Sequence, residues 1–359
     1  MHACPAVVLI ALFGCAGLGS GQTDSSGSSA SIHGFPYVYY TPETDWAFGG
    51  TAVVTFRLDS GVALSPSSVA LDAYYTVGRQ YRFTVAPELY LHENRLLVSC
   101  SMEFGRIADK FWGIGPRTPD SDSTEFVKRL VRFQARVLMV LSGPLKAGVI
   151  LEYERTSMLD TGLNLILQAG SVEGRAGAVA SGAGMLLTWD TRDNIFFPTA
   201  GSFHQIECTA FAPAFGGDHA FQRSLLDLRG YYSPGSGHIV GVQCSGIAIS
   251  GTAPFTRLAP LGGDMIMRGY FTGRYRDRVL LAAQVEYRNM FLSRFGAAVF
   301  AGAGDVASSF SAFHLKDIKP TWGGGLRFML DPEERLTVRA DFGIGRGSDG
   351  IYLAIKEAF

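Results

Sequence analysis

RLTVRADFGI, residues 335–344, alternates without a break. Leu336, Val338, Ala340, Phe342 and Ile344 fall on one face of an extended chain, and Arg335, Thr337, Arg339 and Asp341 fall on the other. Successive side chains of a strand point to opposite faces, so this period of two marks a strand with one apolar and one polar side. The pattern returns in VLLAAQVEYRN (279–289), where Val279, Leu281, Ala283, Val285 and Tyr287 oppose Gln284, Glu286 and Arg288. In FQRSLLDLRGYY (221–232), Arg223, Asp227 and Arg229 oppose Leu226 and Leu228. TWGGGLRFML (321–330) turns Trp322, Leu326, Phe328 and Leu330 outward and Thr321 and Arg327 inward.

A soluble sandwich and a transmembrane barrel both produce such strands, and length separates them. Sandwich strands run about 5–6 residues, whereas membrane strands need about 9–11. Most segments here reach the longer figure. A barrel turns apolar residues to lipid and charged ones to a wet lumen, and the opposite charges Asp227 and Arg229 on one face suit that lumen. Closure also satisfies every backbone group, which an open sheet in lipid cannot do. The expected strands are 36–41, 46–58, 68–77, 81–90, 95–104, 125–141, 145–155, 183–191, 202–213, 221–232, 238–250, 279–289, 294–303, 321–330, 335–344 and 351–359. The fold class is therefore all-β, a transmembrane antiparallel β-barrel of sixteen strands, an even number as single-chain bacterial barrels have. Residues 156–182 read equally as loop or as a hidden strand.

Composition agrees with a membrane barrel. The 359 residues are 47% hydrophobic, carry 44 glycines, and have a formal net charge of −1, which gives no global attraction to nucleic acid. Residues 1–20 carry a short apolar core followed by small residues and read as a signal peptide; 21–34 read as a flexible tether and 35–359 as the barrel. Cys100, Cys208 and Cys244 lie far apart without metal or disulfide spacing and read as small apolar strand residues. The seven histidines show no ligand spacing, so no metal or cofactor is expected. No catalytic constellation stands out, and the chain reads as a non-enzyme; His204 is read as structural.

One stretch does not fit a neutral chain. MIMRGYFTGRYRDR (265–278) gathers four arginines and two tyrosines beyond a Gly-rich approach. Its MRGY core, Met267, Arg268, Gly269 and Tyr270, resembles the V/I-R-G-F/Y motif of the BamA/TamA outer-membrane assembly superfamily, also called bacterial surface antigens. WDTRDNIFFPTAGSF (189–203) resembles the family's D-x-R-D-N-x-F-x-P-x-x-G-S turn, carried here by Asp190, Arg192, Asp193, Pro198 and Gly201. Pro198 fixes φ and Gly201 permits conformations closed to other residues, which suits a tight periplasmic turn. YYTPETDWAFGG (39–50) is similar to the family's first hairpin, and FWGIG (111–115) and GRYRDR (273–278) fit its barrel-only subgroup, which lacks POTRA domains.

The resemblance implies that the loop between the eleventh and twelfth strands, the sixth extracellular one, is long and folded into the lumen. It implies that Arg268 reaches the inner wall and pairs with a glutamate at the position of Glu286, which alternation also turns inward. The family's second acid falls at Gly302, so Asp341 is the alternative partner. Arg274, Arg276 and Arg278 are expected to meet lumen acids, water or lipopolysaccharide phosphates. Phe359, an aromatic closing an amphipathic strand, is read as the outer-membrane insertion signal. The implied location is the Gram-negative cell outer membrane, reached through the periplasm. Implied partners are outer-membrane lipids and lipopolysaccharide, barrel or translocated protein clients, and a separately encoded periplasmic partner. The implied function is assistance in outer-membrane protein insertion, assembly or translocation at a seam between the first and sixteenth strands. The alternative is a passive pore or structural surface antigen without client-folding activity.

Overall fold

Alternation of apolar and charged residues builds the wall. The computed structural model describes residues 30–41, 45–58, 65–160, 167 and 172–359. The signal peptide expected over 1–20 lies outside the described residues, as do part of the tether and part of the 39–50 hairpin. Among the described residues, sixteen antiparallel strands form one sheet in sequence order, interrupted by a two-stranded hairpin inside one loop. The first seven strands are β1 (Ser31–Thr41), β2 (Asp45–Phe56), β3 (Ser67–Thr76), β4 (Tyr81–Leu91), β5 (Leu96–Phe111), β6 (Thr124–Ser142) and β7 (Leu145–Asp160). The next four are β8 (Gly177–Asp190), β9 (Gly201–Phe211), β10 (Phe221–Gly235) and β11 (His238–Gly251). The loop hairpin is β12 (Ala259–Leu261) with β13 (Tyr275–Asp277), and the wall resumes with β14 (Val279–Asn289) and β15 (Phe295–Ala307). It ends with β16 (Lys319–Asp331), β17 (Leu336–Gly345) and β18 (Ser348–Ile355).

β14 shows how the sequence sets the faces. Leu281, Val285 and Tyr287 are exposed, whereas Gln284, Glu286 and Arg288 are buried. This inverts the soluble rule and is what lipid outside and a packed, polar interior require. Leu226 and Leu228 of β10 and Trp322 and Leu326 of β16 are likewise exposed on the outer face. Cys100, Cys208 and Cys244 are free thiols on strands.

Several boundaries differ from the sequence reading; β5, expected over 95–104, runs on to Phe111. β1 begins at Ser31, so strand takes residues 31–34 from the expected tether. β7 runs to Asp160 and β8 starts at Gly177, so strand enters the open 156–182 stretch from both sides. Leu336, placed by alternation with Val338 and Phe342, is fully buried against Val53 and Phe196. A register shift between Met329 and Asp331 lies beside it, and such a bulge re-aims nearby side chains. The last strand was expected over 351–359, but β18 stops at Ile355. Lys356 has φ 73°, and the chain leaves the sheet there. Phe359 is consequently not at the end of a lipid-facing strand; it is buried against Tyr231 of β10.

Among the described residues, no backbone ladder joins β1 to β18. Side chains tie the region together at one end instead: His33 Nε2 lies 3.0 Å from Asp331, and Arg57 lies 2.8 Å from Glu334.

Candidate lumenal site

Residues 252–278, hereafter L6, connect β11 to β14 and fold against the inner wall. Their apolar side chains explain why. Leu261, Met267, Tyr270 and Tyr275 pack with Phe211, Phe221, Leu280 and Val306 in one buried cluster. The tip turns sharply, with φ 58° at Met267 and 110° at Gly269. A Cβ at Gly269 would stand 2.6 Å from the backbone carbon of Ile344, so only glycine lets the tip lie flat on β17. Backbone groups of the tip find side-chain partners: Gly269 N–H donates to Tyr352 Oη at 2.9 Å, and Thr321 Oγ1 donates to the Arg268 carbonyl. Tyr270 Oη donates to the Pro320 carbonyl at 2.8 Å and accepts from the Arg346 amide at 2.7 Å.

Arg268 ends in a cluster of buried charge. Its Nη2 lies 2.5 Å from Glu286 Oε2 and its Nη1 lies 2.6 Å from Asp341 Oδ2, all three side chains being fully buried. The guanidinium carbon sits 3.6 Å from the Phe300 ring centroid, which adds a cation–π contact. Glu286 also accepts from Arg288 Nε at 2.6 Å and Arg327 Nη2 at 3.3 Å. Asp341 accepts from Arg327 at 2.6 Å and Arg339 at 2.9 Å. Glu357, just beyond β18, accepts from Arg327 Nε at 2.8 Å and Thr337 Oγ1 at 3.0 Å. Arg339 reaches out to Asp264 of L6 at 3.0 Å, so this half-exposed carboxylate balances the fourth arginine.

Sequence reading made Glu286 the partner of Arg268 and Asp341 the alternative; the structure brings both to it at once. Each terminal nitrogen of the planar fork takes a different carboxylate. The missing acid at Gly302 on β15 is thus answered from β17. Arg288, Arg327, Arg339 and Glu357 were visible only as inward or polar positions, because alternation gives a face and not a partner.

Two of the remaining cations of the basic stretch, Arg274 and Arg276, find protein partners. Arg274 donates to Thr118 Oγ1 and its carbonyl, at 3.0 and 2.9 Å, and pairs with Asp120 at 2.8 Å. It also stacks over Trp112 and Tyr275. Arg276 is buried over Phe111 and donates to the Gly273 carbonyl at 3.2 Å. The side chain of Arg278 is exposed. The FWGIG stretch therefore seats the stem of L6: Phe111 packs on Phe255, and Trp112 on Phe271.

The 189–203 turn lies at the opposite end of the wall and bonds to itself first. Asp190 and Arg192 pair at 2.8 Å, and Asn194 Oδ1 accepts from the amides of Phe196 and Phe197, both at 2.8 Å. Asp193 accepts from Thr199 N–H, Thr199 Oγ1 and Ala200 N–H at 2.8, 2.7 and 3.0 Å, and this closes the loop around Pro198. Gly201, at φ 91°, then starts β9. From there the turn reaches across the mouth. Asp193 meets Arg335 at 2.6 Å, and Asn194 Nδ2 donates to the Glu334 carbonyl at 3.1 Å. Lys356 sits over Phe196 and Arg288 over Phe197. Arg288 Nη2 also donates to the Phe359 backbone oxygen at 2.6 Å. Arg288 thus joins the turn to the C-terminal segment, and through Glu286 to the loop tip. Among the described residues, no group of three or more His, Cys, Asp or Glu is placed to hold a metal ion.

A sixteen-stranded wall with apolar residues outside and an arginine-anchored loop in its lumen defines a transmembrane β-barrel of the outer-membrane kind. Residues 147–344 match the Omp85 superfamily domain, and the chain belongs to that superfamily. The barrel is similar to the crystal structure of BamA from Haemophilus ducreyi lacking POTRA domains 1–3, with TM-score 0.58, 12% identity, and coverage of 92% of this chain and 70% of that one. It is also similar to CdiB from Acinetobacter baumannii, with TM-score 0.56, 11% identity, and coverage of 91% and 59%. No curated protein matches the sequence.

Proposed function

We propose that this barrel assists the insertion, assembly or translocation of proteins at the outer membrane, acting at the seam between β1 and β18. The observation that carries this reading is the buried cluster around Arg268. It joins the tip of L6 to β17 and to the segment after β18, beside the two edges that lack a shared ladder. Unpaired strand edges are templates for another strand, and here a client strand is the candidate partner. In this reading Met267, Arg268, Gly269 and Tyr270 hold the loop, Glu286 and Asp341 receive it, and the Asp190–Gly201 turn steadies the periplasmic mouth. Phe359 serves as the insertion signal during the protein's own assembly. Partners are unfolded barrel or translocated clients, the surrounding lipids and lipopolysaccharide, and a periplasmic protein that delivers the client.

A passive pore or structural antigen is the competing reading, and the seating of L6 in the lumen speaks against an open channel. The deciding experiment uses the purified chain in liposomes supplied with an unfolded barrel client. Faster client folding that is abolished by a disulfide across the β1–β18 edges supports the proposal. Client folding unchanged from empty liposomes, whatever the state of the disulfide, refutes it.

A further inference from the structure

We infer that L6 is fastened by a second clasp, Arg257 on Glu152 and Glu154, making the loop a strap fixed to opposite walls of the barrel. Glu152 and Glu154 are two apart on β7, so the strand period puts both carboxylates on the same inner face. Arg257 closes the short helical turn Phe255–Arg257 at the base of L6. Its Nη2 lies 2.7 Å from Glu152 Oε2 and its Nη1 lies 2.9 Å from Glu154 Oε2. The side chains are 8%, 5% and 4% exposed for Arg257, Glu152 and Glu154, so each charge depends on its partner rather than on water.

Neighbouring groups hold the clasp in place. The guanidinium lies over the Phe211 ring at 4.9 Å, and Phe255, two residues before it, packs between Phe111 and Phe126. Arg223 of β10 pairs with Glu152, and Arg132 of β6 pairs with Glu154 at 2.8 Å. Each acid thus has a partner on the wall besides Arg257. Position in the sheet supplies the consequence. β7 is seventh and β17 fifteenth in the sixteen-strand order, half a circuit apart in a closed barrel. The stem is clasped to β7 by Arg257 and the tip to β17 through Asp341, so the loop crosses the lumen between them. Freeing Arg268 alone leaves the strap attached at its base, and Arg257 is a positioning residue for L6. This inference rests on the reading that L6 is the element whose seating matters to function.

Its test is separate from client folding. The full chain and its variants are placed in planar bilayers for conductance and in detergent for proteolysis within L6, with heat-modified gel mobility confirming the barrel. Arg257→Gln should raise L6 cleavage several-fold and add conductance fluctuations, and the Glu152→Gln/Glu154→Gln pair should do the same. Arg257→Lys, which keeps the charge but loses the two-carboxylate fork, should lie between wild type and Arg257→Gln. Combined with Arg268→Ala, Arg257→Gln should open the lumen by more than the two single changes together, because either clasp alone retains the strap. If Arg257→Gln does not fold, the Arg257→Lys result decides. Wild-type cleavage and conductance in the folded Arg257 variants overturns the clasp, as does a double variant whose effects merely add. If the clasp behaves as stated while client folding fails, the strap stands and the proposed function falls.

Discussion

Glu286 illustrates how a single side chain comes to matter more than its motif partner. Arg268 loses two carboxylates if its loop moves, but Glu286 serves Arg268, Arg288 and Arg327 together. Breaking a buried pair costs roughly 3–5 kcal/mol, chiefly because the orphaned charge stays buried. Arg268→Ala is therefore expected to destabilise the barrel by about that amount or less, since Asp341 keeps Arg327 and Arg339. Glu286→Ala leaves three arginines short of an acceptor and should cost more. Denaturant unfolding in detergent measures both, and equal effects would show that Glu286 has no role beyond Arg268. Arg268→Lys should rescue partly, since one ammonium cannot span both acids in the same geometry. Gly269→Ala should expose the loop tip to protease without lowering barrel stability as far, because a Cβ meets backbone of β17 rather than removing charge.

The Asp190–Gly201 turn and the end of β18 act as elements. Burial opposes ionisation of Asp193, but its bonds from Thr199, Ala200 and Arg335 outweigh that and hold its carboxyl below the ordinary aspartate value. The sign follows from the depressed value. The stabilisation is present above the unfolded pKa of about 3.9 and is lost as pH falls through the lower folded value. Acid should then loosen the turn before the wall, seen as faster amide exchange at 193–200, and Asp193→Asn should already exchange faster at neutral pH. The segment after β18 gives a second expectation. Phe359→Ala removes a ring buried against Tyr231, a change costing about 3 kcal/mol in a packed site. It should also lower outer-membrane levels if Phe359 is read as the insertion signal. Normal stability with low levels would assign Phe359 to biogenesis alone; the reverse would assign it to packing alone.

At the scale of the whole molecule, the wall is built of strands of 8 to 19 residues, each laddered to the wall strands next to it in the chain. Such a barrel is expected to give a β-dominated circular-dichroism spectrum and to run faster on gels unless boiled. A helix-dominated spectrum would reject the architecture. The β1–β18 edges should be the first to separate, since side chains such as His33–Asp331 and Arg57–Glu334 join that region without a ladder. Cysteines placed across those edges should exchange and cross-link readily, whereas a pair across β14 and β15 should resist reduction-dependent opening.

What RLTVRADFGI and its fellow segments determined by themselves was the period, and with it the strand count and the inward face of Glu286 and Asp341; the glycine at the loop tip was legible through the resemblance of MRGY to a family motif. These are local properties: alternation, length and allowed φ act within a few residues. Tertiary structure alone decided that Arg268 divides its fork between two strands, that Arg257 finds β7, and that Phe359 turns inward onto β10 rather than ending an outer face. Each of those outcomes depends on which walls face each other across the lumen. A strand's period fixes the side a charge is on, but closure of the sheet fixes the charge it meets.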